Sequence, residues 1–446
     1  MKRKETVIQF GEGGFLRGFV DYFLQKLNDK ELYEGSVVVV QPIKQGMCKL
    51  LEEQNCNYNL FLRGIEKGER VDEHIEISVI NRCVNPYENY EDYLKLAENP
   101  DLRFIVSNTT EAGIAFMADN QLNDKPANTF PGKLTQLLYK RYQLGLKGFV
   151  ILSCELIDRN GEELEKCCSA YVDLWELGED FKRWLHTEND FCSTLVDRIV
   201  TGFPGDEHDE LCKRIGVQDQ MMDTAEIFHL WVIQGNYEKE LPLQKAGFNV
   251  VWTDNVDPYK KRKVRILNGA HTSMVLAAHL YGLETVGQCL ENERVSTLLK
   301  HTIFEEIIPV IGDTEENREF GRAVIERFAN PYIKHLLLSI ALNSVSKFKT
   351  RVLPTILEYK ELRGTYPSAL MFSFAALIAF YRSDAAVDGE DIITFMKVAS
   401  LSSILRNVDF WGVDLSDMHL ELKKWCDCIE TKGIEKAYDF VLTPTK

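Results

Sequence analysis

The sequence predicts an α/β chain followed by an all-α one: a doubly wound sheet over residues 1–255, then a mostly helical domain over 256–446. Three observations lead there. Short apolar runs alternate with helical periodicity through the first half. A glycine-rich turn joins the first such run to the first helix. From about Lys261 onward helical periodicity dominates.

Taken in order, residues 6–10 form a short buried strand that runs into Gly11-Glu12-Gly13-Gly14. Leu16, Phe19, Val20, Phe23, Leu24 and Leu27 then recur at helical spacing, so strand, turn and amphipathic helix follow in the order of a Rossmann-like, dinucleotide-binding unit. Gly11 and Gly13 would let the backbone approach a pyrophosphate at the helix N-terminus. The third glycine of G-x-G-x-x-G is absent, because position 16 is leucine. Residues 36–40 make a second strand. It ends in Gln41-Pro42 with Lys44 close behind, where an acid commonly binds the ribose diol of NAD, and this leaves NAD against NADP open. Residues 57–82, with alternating Ile75, Ile77 and Val79, read as a β-rich excursion. Residues 104–107 and 148–153 are later strands of the sheet. They deliver polar clusters at their C-terminal ends, Asn108 to Glu111 and Cys154-Glu155, where ligands sit in open parallel sheets.

Residues 248–252 read as the last strand, and the turn-rich stretch 253–258 marks the hinge. Beyond it, Leu298, Leu299, Ile303 and Ile307 form one apolar face and residues 369–381 a buried helix. At the start of this helical part Lys263, Asn268 and His271 fall within nine residues. In a helix Asn268 and His271 share a face and Lys263 lies more than a turn earlier. Such a set supplies a proton-transfer group and neutral donors for oxidising a secondary alcohol. The hydride acceptor must then be a cofactor, with the site lying between the two domains. Arg17, Lys263, Arg265 and Lys347 are candidate cations for an anionic substrate.

Composition narrows the class. The 446 residues are 45% hydrophobic, enough for a large core, and a net charge of -16 argues against nucleic acid or an anionic membrane as partner. The absence of an apolar leader or a long apolar run leads to the expectation of a cytoplasmic protein. Eleven cysteines without a C-x-x-C pair fit reduced thiols better than disulfides or zinc, and no metal site is expected from the scattered His186, His208 and His229.

Three separated motifs resemble the polyol-specific long-chain dehydrogenases, the mannitol dehydrogenase family. Its G-x-G-x-F-x-R element matches Gly11, Gly13, Phe15 and Arg17; its V-D-R-I element matches Val196 to Ile199; and its lysine, asparagine and histidine are spaced as Lys263, Asn268 and His271. The resemblance implies an oxidoreductase that uses NAD, with NADP left open, and no metal. Lys263 would be the general acid or base, Asn268 the oxyanion stabiliser, and His271 the group that orients the sugar. Gly11, Gly13, Phe15, Arg17 and Glu111 would bind the cofactor, and Asp197 and Lys347 the substrate. Residues 9–21, 107–114 and 153–158 point to the members that act on small hexuronate keto acids. Where mannitol and fructuronate enzymes carry S-C-D-N this chain has Leu156 in place of the asparagine, so a second oxyanion donor is not carried over to that position. Ser339 likewise stands where mannitol enzymes have an arginine. The competing readings are a fructuronate or sugar-phosphate enzyme of the same family and, from another class, a nucleotide-binding sensor without turnover.

Overall fold

The structure is a computed structural model that describes residues 3–443. The chain divides into two compact units, one made of the residues up to Arg63 together with Arg70–Val256, the other of Gly64–Glu69 together with the residues from Asp257 on.

The first unit is built on twelve strands: β1 (Glu5–Phe10), β2 (Ser36–Val40), β3 (Tyr58–Glu66), β4 (Glu69–Ile77), β5 (Ile80–Val84), β6 (Phe104–Ser107), β7 (Val150–Ser153), β8 (Asp190–Asp197), β9 (Val200–Gly202), β10 (Asp223–Glu226), β11 (Leu230–Gln234) and β12 (Val250–Thr253). Eight form one sheet in the order β12-β11-β8-β7-β6-β1-β2-β5. From β5 to β8 every neighbour is parallel, while β11 runs antiparallel to β8 and β12 parallel to β11. The sheet is thus mixed at one edge. The strands alternate as their period of two requires: Ile8, Phe10, Val38, Val40, Ile105 and Ile151 fill the core on one face, and Val7, Val37, Val39, Val106, Val150 and Leu152 the other. Strand order reverses between β1 and β6, which opens a crevice at their C-terminal ends.

Residues 58–84 carry three strands, β3, β4 and β5, which part company. β3 and β4 join β10 and β9 in a second sheet of order β4-β3-β10-β9, and β5 returns to pair with β2. This sheet packs on the helix α1 (Gly14–Asp29). At Gly18 an added Cβ would lie 3.1 Å from Val200, so this glycine permits the close approach that the missing third glycine of the turn would otherwise be expected to serve. Beneath α1 lies a buried polar knot. Tyr58 donates to Asp21 Oδ2 (3.0 Å) and to the Arg17 carbonyl (2.8 Å), Gln9 donates to Asp21 (3.4 Å), and Arg17 pairs with Asp223 (3.8 Å). Burial pushes Asp21 and Asp223 each up to about 7, against the opposing pull of Tyr58, Gln9 and Arg17 on Asp21 and chiefly of Arg17 on Asp223.

The second unit is helical from residue 257 on, apart from turns and an isolated bridge between Thr285 and Leu336. Its centre is the almost wholly apolar helix Ser368–Tyr381, too hydrophobic on all sides for a surface position. Its first-turn amides are satisfied by a buried carboxylate: Glu306 accepts from Ala369 N (2.8 Å) and Leu370 N (2.9 Å). Glu306 is brought there by Thr302–Ile307, a π-helical turn in which the Ile308 N–H bonds to the Ile303 carbonyl five residues earlier. Leu298, Leu299, Ile303 and Ile307 are all buried. The eleven cysteines are free thiols, and among the described residues no helix is long and apolar enough to cross a membrane.

Glu306→Ala leaves two buried amides without a partner and is expected to lower stability by about 3 kcal/mol, read as a shift of the urea midpoint; a loss within error of zero contradicts the capping role. The raised Asp21 and Asp223 make a signed pH prediction. Their folded-state values exceed the unfolded ones, so the stability they confer in the protonated form is complete below about pH 4 and lost as pH rises through about 7. Asp21→Asn should therefore gain on the natural protein by on the order of 1–3 kcal/mol across that window, and a difference that stays constant with pH would refute the assignment.

Candidate active site

At the C-terminal ends of β1 and β6 the crevice is a cleft of about 510 Å³. Gly11, Glu12 and Gly13 form its floor, Pro42, Ile43, Gln45, Gly46 and Met47 after β2 one wall, and Asn108, Thr109 and Thr110 the other. Gly11 has φ +126°, a conformation closed to side chains, and a Cβ on it would press on the Asn108 carbonyl and Leu16 at 3.2 Å. Gly13 is the N-cap of α1 and offers no side-chain acceptor to the first-turn amides, and a Cβ built on it meets no atom within 4 Å. Bare backbone N–H groups at the positive end of a sixteen-residue helix, facing open space, fit a pyrophosphate. A larger cavity, about 690 Å³, opens among Arg3, Ser36, Asn81 and Arg82 near the N-terminal ends of β2 and β5, the wrong end of a parallel sheet for this chemistry.

The other expected cofactor residues divide. Phe15 stacks on Phe19 with ring centroids 5.0 Å apart. Arg17 is buried: its Nε donates to the Glu12 carbonyl (3.1 Å), its Nη1 to the Met221 carbonyl, and its charge faces Asp223. These two brace the turn from below. Glu111 is exposed on the loop after β6 and is not among the residues lining the cleft. Glu155, from the polar cluster after β7, is buried and accepts from Ser107 Oγ (3.1 Å), Thr109 N (3.0 Å) and Thr109 Oγ1 (3.0 Å), so it clamps the wall of the cleft; burial raises its carboxyl. Leu156 beside it is exposed. Asp197 is buried at the end of β8.

In the second unit Lys263, Asn268 and His271 lie on one continuous helix spanning residues 257–280, with a feature that periodicity did not reveal. Lys263–Asn268 is a π-helical turn, in which the Gly269 N–H bonds to the Val264 carbonyl five residues back. An i→i+5 turn sets residue i+5 beside residue i, as an α-turn does for i+4. Lys263 and Asn268, which an ordinary α-helix would point apart, are brought to one side of the helix. Gly269 is needed just there, because a Cβ would sit 3.1 Å from the Arg351 carbonyl.

Two polar atoms of this set are buried without a hydrogen-bond partner, Oδ1 of Asn268 and Nε2 of His271. Orphans of this kind are costly in a core and common where a ligand completes them. The His271 ring lies flat on Phe328 (centroids 3.9 Å, planes 1° apart) and edge-on to His335 at 5.3 Å. Burial above all, with His335 and the guanidinium groups of Arg327 and Arg351 acting in the same direction, holds its pKa far below the usual imidazole value, so it is neutral at physiological pH. Lys347, on the helix Ser344–Arg351, donates to the Ile340 carbonyl (2.8 Å), and burial together with Arg351 holds its pKa down.

Arg265 does not supply free positive charge here. It is buried and bonds Glu358 (2.6 Å) and Thr355 Oγ1 (2.7 Å); burial raises the Glu358 carboxyl, but Arg265 and Lys261 outweigh it and hold the group below the usual carboxylate range. Arg17 is likewise committed inside the fold, to the Glu12 and Met221 carbonyls, with Asp223 3.8 Å away. Both are struts.

Comparison with known proteins shows the family. Residues 5–245 match the Mannitol dehydrogenase Rossmann domain and residues 255–421 the Mannitol dehydrogenase C-terminal domain. The chain is 45% identical to the altronate oxidoreductase of Bacillus subtilis (strain 168), over 93% of this chain and 90% of that one. It is 44% identical to the altronate oxidoreductase of Phocaeicola vulgatus, over 99% and 98%. Among solved structures it superimposes on a D-sorbitol dehydrogenase in substrate-free form with a TM-score of 0.87 at 22% identity, covering 98% of this chain and 95% of that one. On the Pseudomonas fluorescens mannitol 2-dehydrogenase ternary complex with NAD and D-mannitol the TM-score is 0.71 at 18% identity, covering 99% and 94%. With both halves matched and relatives of this similarity along nearly its whole length, the chain belongs to the mannitol dehydrogenase family.

Proposed function

We propose that this protein is an oxidoreductase that reversibly reduces the keto group of tagaturonate to the alcohol of altronate, with NADH as the reductant. The observation that carries the substrate is the 44% identity to an altronate oxidoreductase over 99% of the chain, with Lys263, Asn268 and His271 all in place.

When bound, the nicotinamide supplies the hydride. The backbone of Gly11 and Gly13 and the first turn of α1 hold the pyrophosphate, with Phe15 and Arg17 stiffening the turn beneath. Lys263 carries a proton on Nζ and releases it to the carbonyl oxygen as that oxygen becomes an alkoxide; in the oxidative direction it takes the hydroxyl proton back. Asn268 offers an amide donor to the same oxygen, where negative charge develops, and its buried Oδ1 is completed by a substrate hydroxyl. His271, neutral and locked against Phe328, meets a sugar hydroxyl at Nε2. Asp197 and Lys347 are assigned to substrate binding, Asp197 as acceptor for hydroxyls and Lys347 as a cation for the acid. A cytoplasmic enzyme of hexuronate metabolism is the setting this reading implies.

NADH oxidation by the purified protein, offered tagaturonate, fructuronate and fructose in parallel, tests the substrate. Turnover confined to tagaturonate is expected, and turnover only with fructuronate would replace the reading. Lys263→Ala is expected to lower kcat by about 10²–10⁴-fold while NADH binding changes little. Asn268→Ala should cost about 10²–10³-fold in kcat with KM nearly unchanged, and a loss confined to KM would remove the oxyanion role.

A further inference from the structure

We infer that Glu12, inside the glycine turn, sets the choice between the two nicotinamide dinucleotides: its carboxylate accepts the adenosine 2′-hydroxyl of NADH and rejects the 2′-phosphate of NADPH. This rests on reading the cleft at β1 and β6 as the dinucleotide site.

In open α/β sheets the adenosine ribose lies beyond the end of the second strand, where an acid at the strand's end binds the diol. Here β2 ends at Val40, and Gln41 follows. The Gln41 carboxamide is committed to its own loop, donating to the carbonyls of Ile43 (3.0 Å) and Lys44 (3.1 Å). Lys44 is exposed to water. Sequence position therefore suggests a site without an acid and with a cation, which would favour the phosphorylated cofactor.

The fold reverses that. Glu12 lies in the turn after β1, yet its carboxylate lies against the loop after β2, where Oε1 accepts from Met47 N at 3.0 Å. The approach is so close that Gly46 has no room for a Cβ, which would overlap Oε1 and the Gln41 side chain. Glu12 lines the cleft and is only 5% exposed, and its second oxygen, Oε2, is buried with no hydrogen-bond partner. Its backbone is fixed by Arg17, which donates to the Glu12 carbonyl. Burial raises the Glu12 carboxyl, while the bond from Met47 and the nearby Arg17 favour the charged form. A ribose hydroxyl donates to the orphan oxygen. A phosphate in its place sets a second anion against a carboxylate with little water between, and Lys44 is too well solvated to offset it.

The test uses calorimetric titration of the whole protein with ADP-ribose and with 2′-phospho-ADP-ribose, at mildly alkaline pH so that both anions are charged. The natural protein is expected to favour ADP-ribose by about a hundredfold. Glu12→Gln keeps an acceptor for Met47 and removes the charge; it should narrow that preference at least tenfold, mainly by tightening the phosphorylated ligand. Equal affinity of the natural protein for the two, or an unchanged ratio in a folded Glu12→Gln, overturns the assignment. The arm with the natural protein needs no variant, so it decides even if Glu12→Gln loses its fold. If neither fragment nor NADH binds the natural protein, the dinucleotide reading of the cleft falls, and this inference with it.

Discussion

One extra residue in one helical turn is the constraint on which the placing of Lys263, Asn268 and His271 depends. Because the Gly269 amide reaches back five residues to Val264, Lys263 and Asn268 fall on one side of the helix. Such a turn is a poor local solution, and packing must hold it. The bonds of Arg265 to Glu358 and Thr355 fix its outer side, Gly269 closes against the Arg351 carbonyl, and the Phe328 face pins His271 one turn on. Two unpartnered polar atoms, on Asn268 and His271, are the cost of this arrangement.

The placing of charge follows the same logic of positions over totals. A chain of net charge -16 must present local positive potential wherever it receives an anionic ligand. At the dinucleotide end this comes from backbone amides and the α1 dipole, since Arg17 is occupied with Asp223. In the helical unit Arg327 and Arg351 act on His271, and Arg351 acts on Lys347. Arg265 takes no part, because Glu358 neutralises it.

Much of this was legible in the sequence. The runs at β1, β2, β6 and β7 are apolar on both faces, which only a covered sheet tolerates, and the glycine turn lies directly after the first. The direction of β11 was not legible, since a local apolar run carries no sign of which way its neighbour points. The misreading of Arg265 has a similar root: its partner Glu358 lies 93 residues away. The π-helical turn left no mark in hydrophobic periodicity. Glu12 was in plain view, but the acid was sought at the end of β2, and only the folded loop shows which chain segment a carboxylate faces.

The central claim is that Lys263 exchanges the proton with the substrate oxygen that Asn268 steadies. Amine rescue tests it most directly. Lys263→Ala should recover turnover with tagaturonate when small primary alkylammonium ions are added, with a rate that follows the acidity of the amine, while Asn268→Ala gains nothing from them. A Lys263→Ala protein that binds both substrates and is indifferent to every amine, or an Asn268→Ala protein that is rescued equally well, would contradict the account.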